Sequence, residues 1–239
     1  PLNAGTHGAM TVCAYAAAID LFTLLGGGPD AGGTWTAPGG GAATNNYAPG
    51  TSTPGVYVYT VTPLAPCAID QSTITVTQNQ PVDAGIDGAV TLCISSPVTD
   101  LFASLGGTPD SGGSWTAPGG GAFDGTFTLG TDAQGVYTYN VTALAPCANA
   151  SATVTVAVVS LPDPGSAGVM TLCTSGAAQD LFAVLGGTPD AGGTWTAPGG
   201  GAHSGSLDPA TDAAGVYTYT INVPPPCASV NSTVTISLQ

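Results

Sequence analysis

The sequence predicts an all-β protein made of three tandem β-sandwich modules, and three observations lead to this prediction. The chain repeats itself at an offset of 80 residues along its whole length. Short stretches rich in Val, Thr, Tyr and Ile alternate with turns rich in Gly, Pro and Asp, as in proteins built from short strands. Hydrophobic residues make up 43% of the chain, which argues against a disordered protein.

The repeat is so regular that its copies align without insertion or deletion. The motif DLFTLLGGGPDAGGTWTAPGGGA returns with few changes, at 20–42, 100–122 and 180–202. Three tryptophans stand in equivalent positions, Trp35, Trp115 and Trp195. Self-similarity at a fixed period indicates repeated structural units. We therefore predict modules at 1–80, 81–160 and 161–239.

Strand patterns recur at the same places in each module. In the first module they cover Met10–Cys13, Gly33–Thr36, Val56–Thr62 and Ser72–Thr77. Alternation in GVYVYTV places Tyr57, Tyr59 and Val61 on one face of a strand. That face keeps its tyrosines in all three copies, whereas the opposite face varies. We therefore predict that the tyrosine face lies in the core.

The segment DLFTLLG at 20–26 is ambiguous between strand and helix. It is compatible with a short strand followed by one helical turn. Asp20 would then cap the amino end of the turn and Gly26 would terminate it.

About seven short strands, a tryptophan in the middle and a late G-x-Y-x-Y strand suggest an immunoglobulin-like (Ig-like) sandwich. The segments TLC, DLFxxLGGTPDxGGTWT, GVYTY and SATVTV resemble the tandem Ig-like repeat modules of large secreted bacterial surface, adhesin or fibre proteins. The resemblance extends over essentially the whole chain. It implies an extracellular, non-catalytic role in building a stalk or fibre, and it brings no functional residues with it. The predicted core signature is Trp35, Trp115, Trp195, Tyr57, Tyr137 and Tyr217.

The charge composition excludes several classes of function. All 14 charged residues are acidic, and the chain has no Lys or Arg, so its net charge is −14. Without cations it has no means of neutralising nucleic-acid phosphates or of anchoring to anionic lipid. Lysine Schiff-base chemistry and P-loop phosphate binding are excluded for the same reason. No apolar run reaches the ~20 residues of a membrane helix, so we expect no membrane insertion.

Each module carries two cysteines separated by 54 residues. A zinc site needs four clustered ligands, which two cysteines and scattered histidines do not supply. Pairing inside each module is the favoured interpretation, and domain-swapped pairing between modules is the alternative. The favoured pairs are Cys13–Cys67, Cys93–Cys147 and Cys173–Cys227. Disulfides require an oxidising compartment, so we predict a secreted or cell-surface protein.

Recurrent aspartates are better explained by turns than by a catalytic or metal site. Asp30, Asp110 and Asp190 each follow a proline and precede a Gly-Gly pair, which suits a turn residue that bonds its own backbone. Asp83 and Asp87 are a weak candidate for a calcium site, since the other modules do not repeat the pair. His7 and His203 are isolated. We therefore predict no enzyme activity, no metal and no cofactor.

Three sequons, at Asn140, Asn149 and Asn231, are candidate glycosylation sites.

Pro1 stands where Pro81 stands in the next copy, so the chain is cut in register. A repeated head-to-tail contact need not close and gives an open filament. The predicted function is therefore a subunit of a head-to-tail, pilus-like fibre or surface stalk, with copies of itself as partners. The alternative is an adhesin or carbohydrate-binding protein, for which Phe123 and Phe127 are the distinctive aromatics.

Overall fold

The computed structural model describes residues 2–239, and Pro1, at which the first predicted module begins, lies outside the described residues. The described chain contains strands and three short 3-10 helices but no α-helix. Its strands form three sheet pairs, each a five-stranded sheet with a two-stranded sheet. This arrangement is consistent with three Ig-like domains and confirms the predicted all-β class.

Contacts between Cα atoms divide the chain into two compact units. The first comprises the chain up to Gly88, Phe102–Gly125 and Tyr137–Val154. The second comprises Ala89–Leu101, Thr126–Val136 and Thr155–Gln239. The middle repeat contributes to both units, so the three module boundaries stay a prediction.

The first repeat contains seven strands and one 3-10 helix, Leu21–Leu24. The strands are β1 (Gly8–Cys13), β2 (Ile19–Asp20), β3 (Thr34–Thr36), β4 (Ala42–Ala43), β5 (Asn46–Tyr47), β6 (Gly55–Val61) and β7 (Asp70–Asn79). The larger sheet has the order β1-β7-β6-β3-β4, and β2 pairs with β5 in the smaller one.

The second repeat has the same elements, with a 3-10 helix at Phe102–Ser104. Its strands are β8 (Gly88–Cys93), β9 (Thr99–Asp100), β10 (Ser114–Thr116), β11 (Ala122–Phe123), β12 (Thr126–Phe127), β13 (Gly135–Val141) and β14 (Ala150–Val159). The larger sheet has the order β11-β10-β13-β14-β8, and β9 pairs with β12.

The third repeat follows the same plan, with a 3-10 helix at Phe182–Val184. Its strands are β15 (Gly168–Leu172), β16 (Gln179–Asp180), β17 (Thr194–Thr196), β18 (Ala202–His203), β19 (Ser206–Leu207), β20 (Gly215–Ile221) and β21 (Val230–Leu238). The larger sheet has the order β15-β21-β20-β17-β18, and β16 pairs with β19.

The register of the larger sheet fixes where the cysteines lie. In the first repeat β1 runs parallel to β7, with Cys13 opposite Asn79, the last residue of β7. Strand β6 is antiparallel to β7, with Val61 opposite Asp70, the first residue of β7. The loop that carries Cys67 joins Val61 to Asp70. Cys13 and Cys67 therefore lie at opposite ends of a ten-residue strand.

The predicted tyrosine face is the core of each repeat. Tyr57, Tyr59 and Val61 are buried, whereas Val56 on the opposite face is 47% exposed. Trp35 is also buried, and its ring lies 5.0 Å from that of Tyr59. Burial raises the pKa of Tyr57. The prediction of this core from strand alternation is confirmed.

Tyr57 also forms a tyrosine corner, a hallmark of Ig-like sandwiches. Its hydroxyl donates to the carbonyl of Thr53, 2.9 Å away and four residues upstream. Tyr217 makes the same bond to Ala213 at 2.8 Å. In antibody domains the second core cysteine stands two residues after this tyrosine. In this chain Tyr59 occupies that position.

The segment after Asp20 is one turn of 3-10 helix. The Asp20 carboxylate accepts the N–H of Phe22 at 2.9 Å, as predicted for its amino-terminal cap. Gly26 does not terminate this turn. It exchanges backbone hydrogen bonds with Thr6 instead, because the end of the turn joins the segment before β1.

Candidate functional site

One disulfide joins the first repeat to the second, and another joins the second repeat to the third. Cys13 is bonded to Cys147, and Cys93 is bonded to Cys227, both across 134 residues with Cα atoms 5.0 Å apart. The prediction of pairing inside each module, Cys13–Cys67, Cys93–Cys147 and Cys173–Cys227, is therefore wrong. The alternative of pairing between modules describes both bonds.

The register of the first repeat explains this outcome. Ten residues of strand at about 3.3 Å each place Cys13 and Cys67 roughly 30 Å apart. A disulfide needs Cα atoms within about 7 Å. The core position of the second cysteine in antibody domains holds Tyr59, whose hydroxyl accepts from Gly33 N–H and donates to the Asp30 carbonyl. The cysteines are therefore at the ends of the sandwich and not in its core.

Each repeat has a strand-end cysteine, which ends or immediately follows its first strand (Cys13, Cys93 and Cys173). Each repeat also has a loop cysteine, in the loop before its last strand (Cys67, Cys147 and Cys227). Both disulfides join a strand-end cysteine to a loop cysteine. At the first junction the side-chain amide of Asn79 donates to the carbonyl of Ala145 at 2.7 Å. The Sγ atom of Cys147 lies 3.5 Å from the Asn79 carbonyl oxygen. At the second junction the Sγ atom of Cys227 lies 3.8 Å from the carbonyl of Val159, the equivalent of Asn79.

Two of the six cysteines are unpaired. Cys67 and Cys173 are free and exposed, so neither forms the disulfide predicted for it within the chain. Their bonded equivalents in the loops, Cys147 and Cys227, are only 8% and 7% exposed. The loop cysteine is therefore shielded where it is bonded to the preceding repeat, and open in the first repeat.

The segments around the cysteines carry no charge. None of the 14 aspartates lies in the segments that follow the strand-end cysteines, 13–18, 93–98 and 173–178, or in the loops 62–69, 142–149 and 222–229. In a chain of net charge −14, the residues of these segments add no charge repulsion of their own when two such surfaces approach.

The recurrent aspartates bind backbone that is distant in sequence. Asp30 accepts the N–H of Asn3, and the N–H of Asp30 donates to the Asn3 carbonyl in return. Asp110 and Asp190 repeat the exchange with Asp83 and Asp163. They have a structural role, as predicted, but they fasten a segment 27 residues upstream and not their own turn.

The weak calcium candidate is also used by the backbone. Asp83 accepts from Gly85 N–H, and Asp87 accepts from Thr153 N–H. His7 fills the position of Asp87 in the first repeat, and its Nδ1 accepts from Thr73 N–H at 2.9 Å. Among the described residues no group of three His, Cys or acidic side chains is arranged to hold a metal ion.

His203 is not isolated, because its Nε2 lies 3.4 Å from a carboxylate oxygen of Asp212. The same carboxylate accepts the N–H of Asp208 at 2.7 Å. The Asp208 N–H first, and then His203, lower the pKa of Asp212. In the first repeat the hydroxyl of Ser52 accepts the equivalent N–H, from Ala48.

A groove of about 290 Å³ opens beside the core aromatics of the first repeat. Its lining includes Phe22, Trp35, Tyr59 and Asn45. Trp35 and Tyr59 are almost wholly buried and offer little ring area to a ligand. Gly125 and Gly205 stand where the first repeat has Asn45.

The two distinctive phenylalanines belong to the interior. Phe127 is 1% exposed, and Phe123 lies 4.5 Å from Tyr137 between ring centroids. Neither is an exposed platform for a sugar ring. The three sequons lie on strand β13 at Asn140, in the loop before β14 at Asn149 and on strand β21 at Asn231. Their glycosylation stays a prediction.

No protein-family model matches the chain, and no curated protein matches it significantly. Solved structures of tandem Ig domains are similar to it. The titin fragment I67–I69 is 13% identical, with 98% of this chain and 97% of the fragment covered and a TM-score of 0.46. Extracellular domains 3–5 of Drosophila OTK are 15% identical, covering 98% of this chain and 95% of theirs with a TM-score of 0.40.

The immunoglobulin domains 1–5 of Sidekick-1 are 15% identical over 98% of this chain, with a TM-score of 0.37. The chain spans 59% of the length of that Sidekick-1 fragment. Because all three TM-scores are below 0.5, the fold assignment rests on the strand order and the tyrosine corner. No helix in residues 2–239 has the length and apolar character to cross a membrane.

Proposed function

We propose that this protein is an extracellular structural protein, a subunit of a head-to-tail fibre or surface stalk without catalytic activity. The observation that carries the proposal is the pair of disulfides between successive repeats. Each bond adds a second covalent connection between two neighbouring repeats, beside the polypeptide itself, which suits a mechanical element. Disulfides also favour an oxidising location outside the cytoplasm.

The composition supports the same function. A chain without Lys or Arg offers no cleavage site to trypsin-like proteases. In addition, its recurrent aspartates are hydrogen-bonded to backbone, in structural roles. We propose modules 1–80, 81–160 and 161–239 as the units of the fibre.

Negative-stain electron microscopy of the oxidised protein over a series of concentrations tests this function. We expect linear assemblies whose width stays constant and whose length grows with concentration. Dispersed monomers at the highest concentration would contradict the proposal.

The second candidate is an adhesin or carbohydrate-binding protein, and the groove beside Phe22 and Trp35 favours it. Only the first repeat has Asn45 at this groove, where the other repeats have glycine. Glycan-array binding that is lost in Asn45→Gly would support this candidate. Phe127→Ala is not a suitable probe, because the buried ring serves the fold.

A further inference from the structure

The two unpaired cysteines are complementary halves of one junction. Every bonded pair consists of a strand-end cysteine and a loop cysteine of the following repeat, Cys13 with Cys147 and Cys93 with Cys227. Cys173 is the remaining strand-end cysteine, and Cys67 is the remaining loop cysteine. All four others are bonded, so a partner for either thiol is available on a second copy of this chain.

The strand-end half has the local structure of the bonded junctions. The N–H of Thr174, next to Cys173, donates to the carbonyl of Gln239 at 3.0 Å. Ala14 next to Cys13 and Ile94 next to Cys93 make the same bond, to Asn79 and Val159. The free thiol of Cys173 is thus held on the backbone frame that presents Cys13 and Cys93 to their partners.

The loop half is also preformed. The N–H of Cys67 donates to the Leu64 carbonyl at 3.2 Å, and the N–H of Cys147 donates to that of Leu144 at 3.0 Å. Leu64 in the unpaired loop is 91% exposed. The loop 62–69 therefore presents a thiol and an apolar side chain without any charged residue.

We propose that Cys173 of one copy forms a disulfide with Cys67 of the next, so that the internal junction is repeated between subunits. The proposal deepens the fibre function and rests on it. The contact is heterologous, so each added copy leaves one free thiol of each kind and the chain of copies stays open. The product is a covalent head-to-tail polymer with the same cross-link at every junction.

The bond forms by thiol–disulfide exchange with a disulfide oxidant, for which oxidised glutathione is the laboratory representative. The Cys173 thiolate attacks one glutathione sulfur, a mixed disulfide forms, and one reduced glutathione leaves. The Cys67 thiolate of the second copy then attacks the Cys173 sulfur and releases the second glutathione. Two protein thiols are oxidised, and one glutathione disulfide is reduced to two thiols.

The test uses the whole chain, incubated at high concentration in a glutathione redox buffer and analysed by non-reducing electrophoresis. We expect a ladder at multiples of 23.0 kDa that collapses to monomer when the disulfides are reduced. Trypsin has no site in this chain, so an Asp-specific protease with mass spectrometry identifies the linked peptides. The expected new cross-linked peptide contains Cys67 and Cys173.

Two single variants give the matched control. Cys67→Ser and Cys173→Ser each keep one free thiol, and serine is tolerated because both positions are exposed. Each variant alone should give little dimer, whereas an equal mixture should give a dimer and no longer species. Equal dimer formation in the separate variants would overturn the proposal, as would a Cys67–Cys173 bond within one monomer.

Microscopy separates the inference from the function on which it rests. We expect the Cys67→Ser/Cys173→Ser double variant to lose the ladder and to form shorter fibres than the parent chain. Fibres of undiminished length in the double variant, with no ladder in the parent, would overturn the inference and leave the function standing. Absence of both ladder and fibres in the parent would overturn both.

Discussion

The interior of a repeat and the junction between repeats are held together by different chemistry. In the interior, Trp35 and Phe22 both pack on Tyr59, and the other repeats keep the same two ring contacts, with centroid distances that differ by no more than 0.1 Å. The junction depends on one disulfide and a few polar contacts. The comparison teaches that an Ig-like sandwich with a tyrosine in place of its core cysteine has its thiols available for linking modules.

The largest loss of stability is expected from a substitution that disrupts the interior of a repeat. Trp115→Ala removes a buried indole from the middle repeat and should lower the free energy of unfolding by about 3–5 kcal/mol. Urea unfolding followed by circular dichroism measures this loss. Val136→Ala, at a position 49% exposed, is the control and should change stability by less than about 0.5 kcal/mol. Equal losses in the two variants would contradict the assignment of the core.

The next largest loss of stability is expected when a junction disulfide is removed. Cys13→Ser/Cys147→Ser removes a cross-link over 134 residues and should cost about 2–4 kcal/mol under oxidising conditions. Protease sensitivity and urea unfolding both report this loss. Cys67→Ser is the matched control, because it removes an exposed thiol that has no bond within the chain. A control as unstable as the double variant would show that the junction bond contributes nothing specific.

A smaller effect sharpens the role of Tyr59. Tyr59→Phe keeps the ring but leaves Gly33 N–H and the Asp30 carbonyl without their partner. The expected loss of stability is about 1–3 kcal/mol, measured by thermal unfolding. Tyr15→Phe, at a position 85% exposed, should leave the melting temperature unchanged. If Tyr59→Phe also melts like the parent, the hydroxyl bonds are unimportant.

The smallest effect concerns pH. The pKa of Asp212 is lowered in the folded protein. Its carboxylate therefore stabilises the fold at pH values above the ordinary aspartate pKa of about 3.9. This stabilisation is lost as the pH falls through the folded pKa. Asp212→Asn should therefore reduce the acid sensitivity of the third repeat. Ser52→Ala removes the neutral equivalent in the first repeat and should lower stability by the same amount at pH 3 and pH 7. Parallel pH profiles for the parent and Asp212→Asn would contradict this prediction.

The sequence predicted the main strands and the core because both follow from local patterns. The alternation of Tyr57, Tyr59 and Val61 on a seven-residue strand is enough to assign their face. The cysteine pairing is not local. It depends on the parallel register of β1 with β7, which places Cys13 beside Asn79 and far from Cys67. The single available hint was that a tyrosine, and not a cysteine, follows the corner Tyr57 by two residues.

The aspartate network shows the same division. That Asp20 caps a turn follows from its neighbours in sequence, and the structure agrees. To predict that Asp30 binds the backbone of Asn3, one must know that the start of the repeat lies beside its Gly-Pro-Asp turn in the fold. Residue spacing alone does not reveal this contact, so the prediction from local turn chemistry placed the carboxylate's hydrogen bond within its own loop.

The two disulfide loops overlap, because the loop from Cys13 to Cys147 includes Cys93, where the loop to Cys227 begins. Any one peptide bond between Cys13 and Cys227 is therefore bypassed by at least one sulfur bridge. A chain nicked once anywhere in this interval remains one molecule and continues to transmit tension through the bridge. A single cleavage of this kind would separate the chain into pieces only after a reducing agent had broken the disulfides.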